Sequence, residues 1–86
     1  MLQSEISRNL KSALEQIAIS NGQEMLRIIK PIEARTLVIE DLVLAHLIRC
    51  ACLSIRNASG KGEGSSAFDF AIQDIAKVDH HIRSKR

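Results

Sequence analysis

The chain has few aromatic residues and few residues that interrupt helices. Of its 86 residues, only Phe68 and Phe70 are aromatic, one is proline and four are glycine. The shortage of aromatic side chains excludes an aromatic core and leaves little that could stack on nucleic-acid bases. Because three of the glycines are Gly60, Gly62 and Gly64, nearly all of the remaining chain is free of breakers, which favours long helices.

Cysteines and long uninterrupted apolar runs are also scarce. Cys50 and Cys52 are the only cysteines, and their spacing is neither that of a disulfide framework nor that of a Cys-x-x-Cys pair. Residues 1–11 lack the apolar region of a secretion signal. The most apolar stretch is residues 37–55, but charged side chains interrupt it, and a charged side chain is costly to place in a bilayer. We therefore expect a cytoplasmic protein that does not insert into membranes.

Aliphatic residues dominate the composition. There are 12 Ile, 9 Leu, 3 Val and 9 Ala, while 12 basic residues nearly balance 10 acidic ones. Disordered chains have few aliphatic residues and a high net charge, so this chain is predicted to fold. Since domains are commonly about 100–150 residues long, we expect one helical domain over residues 1–86. The small, glycine-spaced residues 58–65 are expected to form a flexible loop within it.

The spacing of apolar residues by three and four predicts an all-α bundle. Three main helices are expected at about 4–20, 36–57 and 66–83, with a short helix near 23–29. Asn21 is expected to cap that short helix with Glu24 in its first turn, and Pro31 is expected to end it. Ser66 is predicted to cap the last helix. An alternative is an α+β fold with a small hairpin at 25–40, because short β-branched runs flank the proline.

The predicted central helix, residues 36–57, is apolar on nearly every side. Such a helix must be covered on every side, and the short neighbouring helices of so small a domain offer little cover. A second copy of the chain is the simplest additional cover, and two-fold dimers are the commonest assemblies. The candidate interface residues are Leu42, Leu44, Leu47, Ile48, Leu53 and Ile55.

No cofactor, metal site or catalytic residue is predicted. On a helix, His46 and Cys50 share a face, but Cys52 lies about 200° around from Cys50, so both thiols cannot bind one ion. A di-iron bundle uses a glutamate three residues before a histidine, and none of His46, His80 and His81 has a carboxylate at that position. We therefore expect a chain that is not an enzyme, although His46 and Cys50 form the one local pair that a minor enzyme subunit could use.

The C-terminal end is the most basic part of the chain. Residues 77–86 carry four basic residues against Asp79. This pattern supports a second hypothesis, a small regulator that binds nucleic acid. Its candidate contact residues are His81, Arg83, Lys85 and Arg86. The leading hypothesis is a non-catalytic protein–protein interaction or regulatory module that acts as a homo-oligomer, with a further protein as a potential partner.

Overall fold

The computed structural model describes residues 3–61 and 64–84, and these residues form four helices and no strand. The helices are α1 (Gln3–Ala18), α2 (Gly22–Arg35), α3 (Leu42–Ser59) and α4 (Ser66–Ser84). The predicted all-α fold is therefore confirmed. The hairpin alternative at 25–40 is wrong for this chain, because most of that segment belongs to α2.

Helix α1 is amphipathic and contributes one face to the core. Its buried apolar residues recur every three or four positions: Ile6, Leu10, Ala13, Leu14 and Ile17. The helix ends where Ser20 adopts a left-handed conformation with φ of 61°. The Ser20 amide donates to the Ile17 carbonyl at 2.9 Å and the Asn21 amide donates to the Gln16 carbonyl at 2.8 Å. These two bonds form a Schellman motif, which satisfies carbonyls at the end of the helix.

Helix α2 is twice as long as the short helix predicted near 23–29, because Pro31 lies inside it and does not end it. Pro31 is exposed, and the carbonyl it leaves without a helical donor belongs to Arg27, which is also exposed. Water can hydrate that carbonyl. Ile29 and Ile32 are both fully buried, so core packing holds the helix on either side of the proline. The predicted cap is confirmed: the Glu24 amide donates to the Asn21 side chain at 3.2 Å.

The break between the second and third helices lies at residues 36–41, so the central helix begins at Leu42 and not at residue 36. Asp41 sets this boundary. One of its carboxylate oxygens, Oδ1, accepts hydrogen bonds from the Val43 and Leu44 amides, both at 3.1 Å. An aspartate in this position is a strong N-cap because it satisfies amides that have no partner in the helix. The expected central helix is thus shortened at its start and extends to Ser59 at its end.

Helix α4 packs on the core through a seam of apolar residues spaced by three and four positions. Ala71, Ile75, Val78 and Ile82 are buried, and Phe68 packs against the core while partly exposed. The cap lies one residue earlier than predicted, because the Ser65 hydroxyl, not Ser66, accepts from the Phe68 amide, at 3.2 Å.

The four helices enclose one core, with a radius of gyration of 11.9 Å over the Cα atoms. Helices α1 and α3 each contact all of the others, and α3 packs most extensively on α4. Polar pairs between helices supplement the core: the Ser7 hydroxyl donates to Asp79 at 3.0 Å, and the Ser54 hydroxyl donates to Asp74. No helix in the described ranges is long and apolar enough to span a membrane.

Candidate protein-binding face

The six predicted interface residues divide between the core and the surface. Leu44, Ile48 and Ile55 are at most 1% exposed and fill the core of a single chain. Leu47 is half-buried and packs against the same core. Leu42 and Leu53 are 79% and 60% exposed. Two of the six are therefore clearly available to a partner, because the apolar surface of α3 is covered on one side by the other helices.

A cluster of exposed apolar side chains surrounds the junction of α2 and α3. Leu37, Val38, Leu42 and Val43, which we name the α2–α3 corner, are 76%, 70%, 79% and 58% exposed. Single exposed apolar residues are ordinary, but four large apolar side chains exposed within seven positions of the chain are unusual, and concentrations of exposed apolar surface mark binding sites. Sequence reasoning did not select Leu37, Val38 and Val43 as interface candidates, and it assigned the first two to the central helix. Recognising Asp41 as an N-cap would have placed the first two in a connection.

The exposed side of α3 continues from this corner. Leu42, His46, Cys50 and Leu53 are spaced by four, four and three residues, so they form one line along the helix, which we name the outer stripe. Its two polar members are in contact, since His46 Nε2 lies 3.6 Å from Cys50 Sγ. Cys50 is half-buried and His46 is exposed. Helix α3 contains no acidic residue.

Cys52 occupies the opposite side of α3, as the helical geometry predicts. It is 1% exposed and belongs to the core. Burial, together with the negative charge of Glu33, raises the pKa of the Cys52 thiol to about 12. A neutral, buried thiol acts as a small apolar side chain, so Cys52 is neither a nucleophile nor a metal ligand in the folded protein.

Two arginines border the outer stripe, and both are bound to α2 or to the connection that follows it. Arg49 Nε donates to the Thr36 hydroxyl at 3.1 Å. Arg56 forms an ion pair with Glu33 at 2.5 Å, and this hydrogen bond raises the pKa of the guanidinium. These contacts hold the two positive charges at the edge of the outer stripe. The stripe itself consists of two leucines together with His46 and Cys50.

A bond between α3 and α4 fixes the α2–α3 corner. While Asp41 Oδ1 caps α3, its Oδ2 lies 2.8 Å from His81 Nε2. Both side chains are partly buried, with 28% and 16% of their surfaces exposed. The first turn of α3, which carries Leu42 and Val43, is thereby attached to the C-terminal part of α4.

The described part of the predicted nucleic-acid surface is largely paired with carboxylates. His81 contacts Asp41, and Arg83 Nε lies 3.1 Å from Asp79. The candidates Lys85 and Arg86 lie outside the described residues. Pairing reduces the positive potential that a phosphate backbone would meet, so the visible geometry adds no support to this hypothesis.

A second apolar surface lies between α1 and α4. It is an open groove of about 560 Å³ lined by Leu14, Phe68, Ile72 and Ile75, with Lys11, Glu15, Asp79 and Arg83 at its edges. Its volume is within the range of small-molecule sites. Its edges carry two basic and two acidic residues, of which Asp79 and Arg83 already pair with each other. Sequence reasoning did not identify this groove, because it arises only when the two helices pack.

No group of three potential metal ligands occurs within residues 3–61 and 64–84. Comparisons with models of protein families, with curated proteins and with solved structures find no match for this chain. The function is therefore inferred from the geometry of the α2–α3 corner and the outer stripe.

Proposed function

We propose that this chain is a non-catalytic protein–protein interaction module that acts as a homo-oligomer through the α2–α3 corner and the outer stripe of α3. The observation that carries the proposal is the exposure of four large apolar side chains between Leu37 and Val43. Water contact with these side chains is unfavourable, and a partner that covers them gains about 25 cal/mol for each Å² of apolar surface buried.

The surrounding structure favours protein binding over catalysis at this surface. The corner is held in place by the Asp41 cap and by the contact of Asp41 with His81. A preorganised apolar surface loses little conformational freedom when a partner binds. The thiol of Cys52 is buried and its pKa is raised, so it is not a nucleophile. His46 and Cys50 lie on the outer face of α3, and within the described residues they belong to no group of three His, Cys, Asp or Glu side chains that could hold a metal ion.

The test is the oligomeric state of the purified chain, measured by sedimentation equilibrium over micromolar concentrations. We expect a dimer. The variant Leu42→Glu places two charges in a two-fold interface and removes two leucines, each worth about 1.5–3 kcal/mol when buried. We expect the dimer Kd to rise by roughly 100-fold or more.

Ile19→Glu is the matched control, because Ile19 is 68% exposed but lies in the turn after α1, away from the corner. This variant should dimerise like the native chain. A native chain that stays monomeric throughout the concentration range would contradict the proposal, and so would equal effects of the two substitutions.

A further inference from the structure

We propose that His46 and Cys50 form half of a metal site, which a second copy of the chain completes as a tetrahedral site for Zn²⁺ with two imidazole and two thiolate ligands. The inference rests on the self-association proposed above and goes beyond it. The sequence-based expectation of no metal site depended on ligand spacing within one chain. A site shared between two chains needs only two ligands from each.

The spacing of the two ligand atoms matches the proposed ion. Zn²⁺ binds a thiolate sulfur at about 2.3 Å and an imidazole nitrogen at about 2.0–2.1 Å, with tetrahedral angles. These values separate the sulfur from the nitrogen by about 3.6 Å. The distance between Cys50 Sγ and His46 Nε2 is 3.6 Å. The separation of these two atoms therefore suits chelation of one ion by the pair.

The arrangement of the outer stripe suits a second copy as the other half. The midpoint of His46 and Cys50 lies at position 48 of the chain, and the midpoint of Leu42 and Leu53 lies within one residue of it. A two-fold axis crossing two antiparallel α3 helices at that level places His46 opposite the partner's Cys50 and Leu42 opposite the partner's Leu53. Such mutual pairing is what a two-fold interface requires.

The charges around the stripe are compatible with this arrangement. Since α3 has no carboxylate, no hard oxygen ligand from this helix competes for the ion, and thiolate with imidazole favours Zn²⁺ over Mg²⁺ or Ca²⁺. Arg49 and Arg56 are held at the edges by Thr36 and Glu33. Metal binding would release the thiol proton of each Cys50 to solvent, and the two thiolates would neutralise the charge of the ion.

The test uses the full chain, stripped of metal with a chelator and kept reduced with a phosphine. Zn²⁺ is titrated into it calorimetrically, and the oligomeric state is followed by sedimentation with and without Zn²⁺. We expect one Zn²⁺ per two chains and a dimer Kd about tenfold lower or more in its presence, because the ion binds only the dimer. Substituting Co²⁺ should produce the absorption of tetrahedral thiolate coordination. His46→Ala and Cys50→Ser should each abolish these effects.

His80→Ala is the matched control for an exposed histidine, and Cys52→Ala is the control for the other thiol. Both should leave the stoichiometry unchanged. A dimer that forms without Zn²⁺, and whose Kd does not change when Zn²⁺ is added, would overturn the metal site while leaving the proposed function intact. A chain that stays monomeric with and without Zn²⁺ would overturn both. Binding of one ion per chain, or binding that survives Cys50→Ser, would also refute the shared site.

Discussion

Asp41 offers a sharp test of how the α2–α3 corner is held, because one carboxylate performs two tasks. Its Oδ1 caps the Val43 and Leu44 amides, and its Oδ2 contacts His81. Loss of an N-cap costs typically about 1 kcal/mol. A partly buried, charge-assisted contact adds about 0.5–1 kcal/mol. Asp41→Ala should therefore lower the free energy of unfolding by about 1.5–2 kcal/mol.

Thermal and urea denaturation, followed by far-ultraviolet circular dichroism, measure this loss. For a domain of this size, each kcal/mol lowers Tm by about 4–8 °C, so we expect a decrease of roughly 6–16 °C. Asp41→Ser separates the two tasks, because serine is a good N-cap but does not carry the charge that faces His81. It should lose only about 0.5–1 kcal/mol.

Local opening gives an independent measurement. In Asp41→Ala, hydrogen exchange at the Val43 and Leu44 amides should accelerate by more than the roughly 10–30-fold that a loss of about 1.5–2 kcal/mol of global stability produces at Ile55, near the other end of α3. If Asp41→Ser is as destabilising as Asp41→Ala, the cap contributes nothing measurable and the reasoning is refuted.

Three further predictions follow from the backbone and from the buried thiol. Ser20→Gly should raise the free energy of unfolding by about 1 kcal/mol in urea denaturation, because glycine adopts the left-handed conformation without strain; a loss of stability would contradict the Schellman assignment. Pro31→Ala should raise the free energy of unfolding by about 2 kcal/mol. Alanine is much more favourable than proline inside a helix, and this gain exceeds the stability lost because the unfolded chain becomes more flexible. An unchanged Tm would contradict this prediction. Because folding raises the pKa of Cys52 from 9.0 to about 12, the unfolded chain loses this proton first as the pH rises. The stabilising contribution is thus fully present below pH 9, and stability should fall above it by about 1.4 kcal/mol per pH unit, a slope that Cys52→Ala should lack in denaturation series at increasing pH.

Local patterns were sufficient for most of the helical structure. The stripe of α1 and the seam of α4 depend on spacing by three and four residues, which determines the buried face of any helix that packs on a core. The Asn21 cap joins residues within one helical turn, so the order of residues along the chain is enough to bring them together. The opposite placement of Cys50 and Cys52 likewise follows from helix geometry.

The boundary between α2 and α3 depended on tertiary packing. Pro31 is a local signal for a break, but burial of Ile29 and Ile32 outweighs the local cost of the proline and carries the helix through it. Conversely, no glycine or proline marks residues 36–41, where the chain leaves the helix and Asp41 begins the next one.

The sequence alone determines that this protein is an all-α chain with an aliphatic core, because helical periodicity and composition are local properties. Which apolar residues of the central segment face the core was decided only by the tertiary structure. Ile48 and Leu53 are chemically alike and lie on the same helix, yet one is fully buried and the other is 60% exposed. The physical reason is that α1, α2 and α4 cover one side of α3, and a helix that is apolar on nearly all sides does not itself specify which side its neighbours will cover.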